Sequence, residues 1–325
     1  MTEAFSWVFD GLLVIALVIV AARVVFTPVL FKAIVMFIVF GLLMAIAWGR
    51  LDAPHVALAE AAIGAGITGA LLLAAYSDLV SVRRRRPHLR PRVRVLRRHA
   101  FFAASAALAF AALALVLLQV PAPESGAGTL AVANLDATGV AEGVTAVLLD
   151  FRAYDTLLEM AVLLLAVYGA RAVLVTDSEP RPDPWPTEGR HGSMVAALVG
   201  VLAPLIVVTA GYLLWVGAYG PGGAFQAGAV LAALGVLLRL TGRLEPAAAS
   251  SWPQRLVLVA GLIVFSLVGL ATLFAGGTFL DYPEAWAYPL VLLIEIALTV
   301  SIALPLILLF SGSPGLATPA PEDRR

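Results

Sequence analysis

Nine stretches of this chain are predominantly apolar over about 20 residues, the length a helix needs to cross a bilayer. They run over about 5–25, 29–48, 55–78, 99–120, 153–175, 193–216, 223–241, 254–275 and 285–310. A lipid interior offers no water to backbone amides, so each stretch has to satisfy its own hydrogen bonds as a helix. The expected fold is therefore all-α, a polytopic transmembrane bundle of about nine helices. Composition agrees, since only 13% of the 325 residues are charged, about half the share in an average soluble domain. The first stretch is expected to span rather than to be a cleaved leader, because Glu3 is the only charge before it and Arg23 follows it.

Basic residues set the expected orientation, because they collect on the cytoplasmic side. The run RRRRPHLRPRVRVLRR at 83–98 anchors the connection between the third and fourth helices inside. Counting outward from it, only Arg50 and Arg152 among the 21 basic residues fall on the opposite side. The N-terminus is then outside and the C-terminus cytoplasmic, in a multi-pass protein of the cell inner membrane. The run itself reads either as topology alone or as a contact for anionic headgroups or an acidic partner. No aromatic platform accompanies it, so no nucleic acid is expected as a partner.

Several chemistries are excluded or disfavoured. Cysteine is absent, which removes disulfides, thiolate zinc sites and cysteine-bound iron–sulfur clusters. His55, His88, His99 and His191 are scattered, with no pair three or four residues apart, so no metal and no cofactor are expected. No catalytic residue is assigned.

The helices fall into blocks of three, two and four. Residues 1–98 hold three helices and the basic loop, 99–176 hold two, and 193–325 hold four. Residues 177–192 form a polar, Pro-rich cytoplasmic linker that cannot pack as a helix interior. The pattern is that of small membrane subunits joined end to end.

A charged group near a helix centre costs about 2.5 to 3.5 kcal/mol on insertion scales, so each one invites a functional reading. Glu60 sits roughly 7 to 8 Å into the third helix, followed at spacings of four by Ala62, Gly66 and Ala70. Small residues on one face allow close helix approach, which predicts a packed interface for Glu60. Arg152, Asp155 and Glu159 are three and four residues apart and share one helix face. Arg152 and Asp155 can pair, leaving Glu159 less compensated, either as a proton-binding group or as part of a structural ion-pair network. Glu295 lies near the middle of the ninth helix, with Pro305 beyond it. It either takes part in proton movement or hydrogen-bonds a neighbouring helix. Lys32, Asp78 and Arg171 lie near helix ends and read as interfacial anchors.

The stretch VGAYGPGGAFQAG at 216–228 interrupts two apolar runs on the expected outer side. Pro221 ends helical bonding, and Gly222 and Gly223 allow a sharp reversal. The stretch lacks the phosphate-loop pattern, so a tight structural turn is expected, with Phe225 following and Gln226 capping or bridging to a neighbouring subunit. This segment resembles the GHxxPGGGFQGG signature of the MnhB/MrpB subunit of Mrp-type multisubunit Na+/H+ antiporters, matching at Gly217, Pro221, Gly222, Gly223, Phe225, Gln226 and Gly228. Ala218 stands in place of the family's His, and Ala224 and Ala227 in place of glycines. DAPHVALAEAAIGAG is similar to the PDVALTEAAVGAG segment of the MbhD-like region near the C-terminus of the large antiporter subunit (MrpA/MnhA), keeping Glu60 but placing His55 and Ala59 where Asp and Thr are usual. LLDFRAYDTLLEMAVL is similar to the VDFRAFDTLGEI segment of the MbhE-like region, keeping Asp150, Arg152, Asp155, Thr156 and Glu159.

The resemblance implies a fusion of MbhD-like, MbhE-like and MnhB-like pieces, forming a membrane subunit of an Mrp-like cation/proton antiporter complex. Its implied partners are large antiporter-like subunits, small C-, F- and G-like subunits, the lipid bilayer, Na+ and H+. It implies that Glu60 and Glu159 take part in cation or proton transfer. Arg152 and Asp155 would tune Glu159, and the glycine turn would hold the last block in place. Two alternatives share these motifs. One is the sodium- or proton-translocating module of a membrane-bound hydrogenase. The other is a non-transporting scaffold in a related ion- or inorganic-carbon-uptake complex.

Overall fold

A computed structural model of the chain describes residues 2–85, 95–119, 126–176, 193–244, 252–275 and 277–311, and their regular structure is entirely helical. Nine rods follow in chain order. They are α1 (Thr2–Phe26), α2 (Leu30–Arg50), α3 (54–85), α4 (Val95–Gln119), α5 (143–176), α6 (Ser193–Val216), α7 (Ala224–Leu240), α8 (Trp252–Phe274) and α9 (Ala287–Phe310). Seven contain stretches long and apolar enough to cross a membrane, Phe5–Phe26, Leu30–Arg50, Pro54–Ser77, Ala153–Ala170, Met194–Val216, Trp252–Phe274 and Glu284–Phe310. The other two predicted stretches are helical with shorter apolar runs, Ala104–Val116 within α4 and Ala224–Leu240 in α7. Residues 86–94 of the basic run, the linker 177–192 and the tail 312–325 lie outside the described residues, as do His88 and His191.

Two rods contain π-helical segments. α3 is α-helical over Pro54–Ala59, π-helical over Glu60–Ile67, and α-helical again over Thr68–Arg85. α5 passes from Gly143–Ala146 through a π-helical Val147–Phe151 into Ala153–Thr176. The wider i→i+5 turn rotates every later side chain relative to an α-helical register. This corrects the expected stripe of small residues. Gly66 is exposed, whereas Ala65 and Gly69 are buried, and Gly41 of α2 lies so close that a Cβ there would sit 3.1 Å from Ala65 Cβ. Ala62 turns instead toward Ala229 and Ala232 of α7.

The three sequence blocks share their cores. Phe265 of α8 and Val291, Ile294, Leu298 and Ile302 of α9 are buried in one cluster with Ala146, Leu149, Ala153 and Met160 of α5 and with Ala218 and Ala224 of the glycine turn. Ile67 of α3 packs with Ala229 and Ala232 of α7 in a second cluster. α4 makes no substantial packing contact with another described element.

Candidate functional site

Polar contacts between blocks concentrate at one end of the bundle, where the glycine turn meets the start of α3, the entry to α5 and the side of α9. The turn is built by its own chain first. Gly220 N–H donates to Val216 O at 2.8 Å, and Gly223 N–H donates back to Leu213 O at 2.8 Å. Gly223 has φ +106°, a conformation that disfavours any side chain. Gly217 is pressed against it, so that a Cβ on Gly217 would meet Gly223 Cα at 2.5 Å.

Residues at the entry to α5 clamp this turn. Thr145 Oγ1 donates to Gly217 O at 2.5 Å, and the amides of Ala141 and Glu142 both donate to Ala218 O, at 2.9 and 3.1 Å. Ala218 is buried at 2% exposure, which leaves no room for an imidazole without displacing those segments of chain. An imidazole reaches the same place from elsewhere. His55, at the start of α3, puts Nε2 2.9 Å from Glu142 Oε1. Two of the departures from the resembled motifs, His55 and Ala218, thus converge on Glu142. Gln226 bonds within the chain instead, its Nε2 donating to His55 O at 3.3 Å. Phe225 packs against the main core.

Glu295 lies under the turn. Its exposure is 3%, its Oε1 accepts a hydrogen bond from Ala224 N–H at 3.3 Å, and its Oε2 has no hydrogen-bond partner among the described residues. A Cβ on Gly223 would sit 3.0 Å from that Oε1 and 3.8 Å from Gln226 Oε1.

The remaining predicted residues are not brought together. Glu60 is half-buried where α3 begins its π-helical turn, and its carboxylate folds into the space that a Cβ on Gly64 would need. Arg152 Nη2 pairs with Asp155 Oδ2 at 2.5 Å. Glu159, one turn deeper, is exposed on the outward face of α5 among Leu158, Val162 and Leu165, each more than 60% exposed. α3 packs on α2 and α7, whereas α5 packs on α8 and α9, so Glu60 and Glu159 stand on separate sides of the last block.

Two features escaped the sequence reading. Arg50 is held by Asp10, Nε to Oδ1 at 2.7 Å and Nη2 to Oδ2 at 2.9 Å, with Ser6 Oγ as a third partner. Both basic residues expected on the minority side therefore carry an aspartate partner. The loop from 277 to 286 also lies over the entry to α5, where Tyr282 O–H donates to Leu149 O at 2.9 Å and Phe279 stacks on Tyr154 at 5.4 Å. Burial there, with the charge of Asp281 adding to it, pushes the Asp150 carboxyl up to about 6. Burial also raises the Tyr282 phenol, with Asp150 adding to the effect.

Nine helical rods, seven of them of spanning length, with acidic side chains set into their packing, define a polytopic helical membrane protein. Residues 194–312 match the domain related to the MnhB subunit of Na+/H+ antiporters, and residues 15–80 match MbhD, the D subunit of MBH. No curated protein is matched. A chain in the structure of the Mrp complex from Dietzia sp. DQ12-45-1b shares the fold at a TM-score of 0.72 and 24% identity, over 97% of the present chain. The present chain spans 35% of that chain's length. The chain thus contains one region similar to MbhD and one similar to MnhB, on a fold shared with part of an Mrp complex chain.

Proposed function

We propose that this chain works within an Mrp-like cation/proton antiporter complex of the cell inner membrane, as a transporter subunit with no reaction of its own. Glu60 and Glu159 bind and release Na+ or H+ at boundaries with other subunits, and the Arg152–Asp155 pair tunes Glu159. Large antiporter-like subunits and small C-, F- and G-like subunits are the partners, and residues 99–176 act as an MbhE-like unit between the two matched regions. The glycine-turn end faces outward and the basic run faces the cytoplasm.

The observation that carries this reading is the placement of Glu159. An ionisable side chain exposed among Leu158, Val162 and Leu165 would face hydrocarbon if the chain stood alone, at a cost of about 2.5 to 3.5 kcal/mol. Contact with another subunit removes that cost and places the carboxylate at a boundary. The match of residues 15–80 to the MbhD family supports a second reading, an ion-translocating module of a membrane-bound hydrogenase or related energy-converting complex.

The test is Glu60→Gln and Glu159→Gln in the assembled complex, with Na+-dependent proton release followed in inverted vesicles. Each substitution is expected to lower exchange at least tenfold while the subunits still co-purify, which at about 1.4 kcal/mol per decade is within what one membrane carboxylate controls. Full exchange in both variants would instead identify a scaffold, and proton release requiring a redox donor would favour the second reading.

A further inference from the structure

Glu295 belongs to neither of the two boundaries just described. It sits in the core of the MnhB-like region on α9, 3% exposed. Its surroundings oppose each other. An ionised carboxylate removed from water costs several kcal/mol unless paired, and among the described residues no basic side chain forms an ion pair with Glu295. Against that, Oε1 takes the Ala224 amide at the N-terminus of α7, where free N–H groups and the helix dipole favour negative charge. The single bond is long, at 3.3 Å, and among the described residues Oε2 has no hydrogen-bond partner. Neither charge state is locked by its contacts.

Two tyrosines lie between this group and the end of the bundle. Tyr288 precedes Glu295 by two helical turns on the same face of α9. Its ring lies 6.0 Å from that of Tyr219 on the glycine turn. Tyr219 itself is 54% exposed at the end of the bundle. Phenol hydroxyls both donate and accept, so a proton arriving at Tyr219 has acceptors leading inward.

We propose that Glu295 is an exchangeable proton site of the MnhB-like region, loaded from the glycine-turn end past Tyr219 and Tyr288. This deepens the transport reading given above, on which it rests only for its physiological use. Proton uptake converts the carboxylate to the neutral acid, with Oε2 carrying the hydrogen, and release returns the proton by the same path.

The test uses the full chain in its native complex, treated with a membrane-permeant carbodiimide, which modifies carboxyls in their protonated form, followed by peptide mass mapping. A Glu295 adduct is expected to be abundant at low pH and to fall at least tenfold as the pH is raised, as proton loss removes the reactive form. Tyr219→Phe with Tyr288→Phe should slow labelling severalfold without changing its final extent. An infrared band of a buried protonated carboxyl should be present in the native chain and absent in Glu295→Gln. Absence of both the adduct and the band, or labelling governed by Na+ concentration and not by pH, overturns the proposal. The same labelling is expected to persist in the chain carrying Glu60→Gln and Glu159→Gln. Its outcome is thereby separated from that of the exchange assay.

Discussion

At the scale of single residues, Glu142 joins what the linear sequence keeps far apart. Its amide holds the turn through Ala218 O, and its carboxylate holds α3 through His55. Losing one partner of a mostly buried polar pair costs about 1 to 3 kcal/mol. Glu142→Ala and His55→Ala should each lower the midpoint of thermal unfolding in detergent, and the double variant should lose less than the sum. Strict additivity would show that the two do not act on each other. Asp150 gives a pH dependence. Its carboxyl is held up at about 6 against an ordinary value of 3.8, so the neutral form is the one the folded state prefers. The associated stability is fully present below about pH 4 and is lost as pH rises through about 6. Asp150→Asn should therefore stabilise the chain at neutral pH, by about 1 kcal/mol once solvent screening of this half-buried group is allowed for. It should also flatten the unfolding profile between pH 4 and pH 7, and an unchanged profile would refute the assignment.

At the scale of elements, the π-helical segments and the turn decide where side chains point. Glu60 heads one such segment and Asp150 lies inside the other. Removing one residue, Ala61, would let the stretch relax toward α-helical register and rotate Glu60 by about 100° relative to the rest of α3. The expected result is loss of exchange with assembly retained, read by co-purification beside the vesicle assay. Gly223→Ala meets two obstacles, a positive φ and a contact of 3.0 Å to Glu295 Oε1. Together they should cost about 1 to 3 kcal/mol, visible as a lower unfolding midpoint. The rods themselves were legible in the sequence, because hydropathy over about 20 residues depends on nothing beyond the stretch itself. The π-helical turns were not, since an extra residue in a turn leaves no mark on composition. The stripe at Ala62, Gly66 and Ala70 failed for that reason.

At the scale of the whole molecule, the three blocks read from the sequence behave as one packed body. Ala146, Leu149 and Met160 from the second block lie in the same core as Phe265, Ile294 and Ile302 from the third. A chain divided within 177–192 and co-produced as two polypeptides should therefore reassociate and co-purify, since the buried contacts do not depend on the linker. Failure to associate would show that covalent continuity is required. Sequence reasoning separated the blocks by their motifs but could not see their shared interior. Hydrophobic periodicity identifies a buried face without naming what covers it. The same limit applied to the site: the acidic residues could be picked out by their cost in lipid, whereas Glu142, Asp281 and Tyr282 lie outside the apolar rods and carried no such signal.

The Arg50–Asp10 pair bears on how the chain enters the bilayer. Synthesis delivers the acid forty positions ahead of the base, so α1 is already waiting when α2 threads in. The late-arriving guanidinium then has its counter-ion at hand, and Asp10→Asn is expected to lower the yield of membrane-inserted chain.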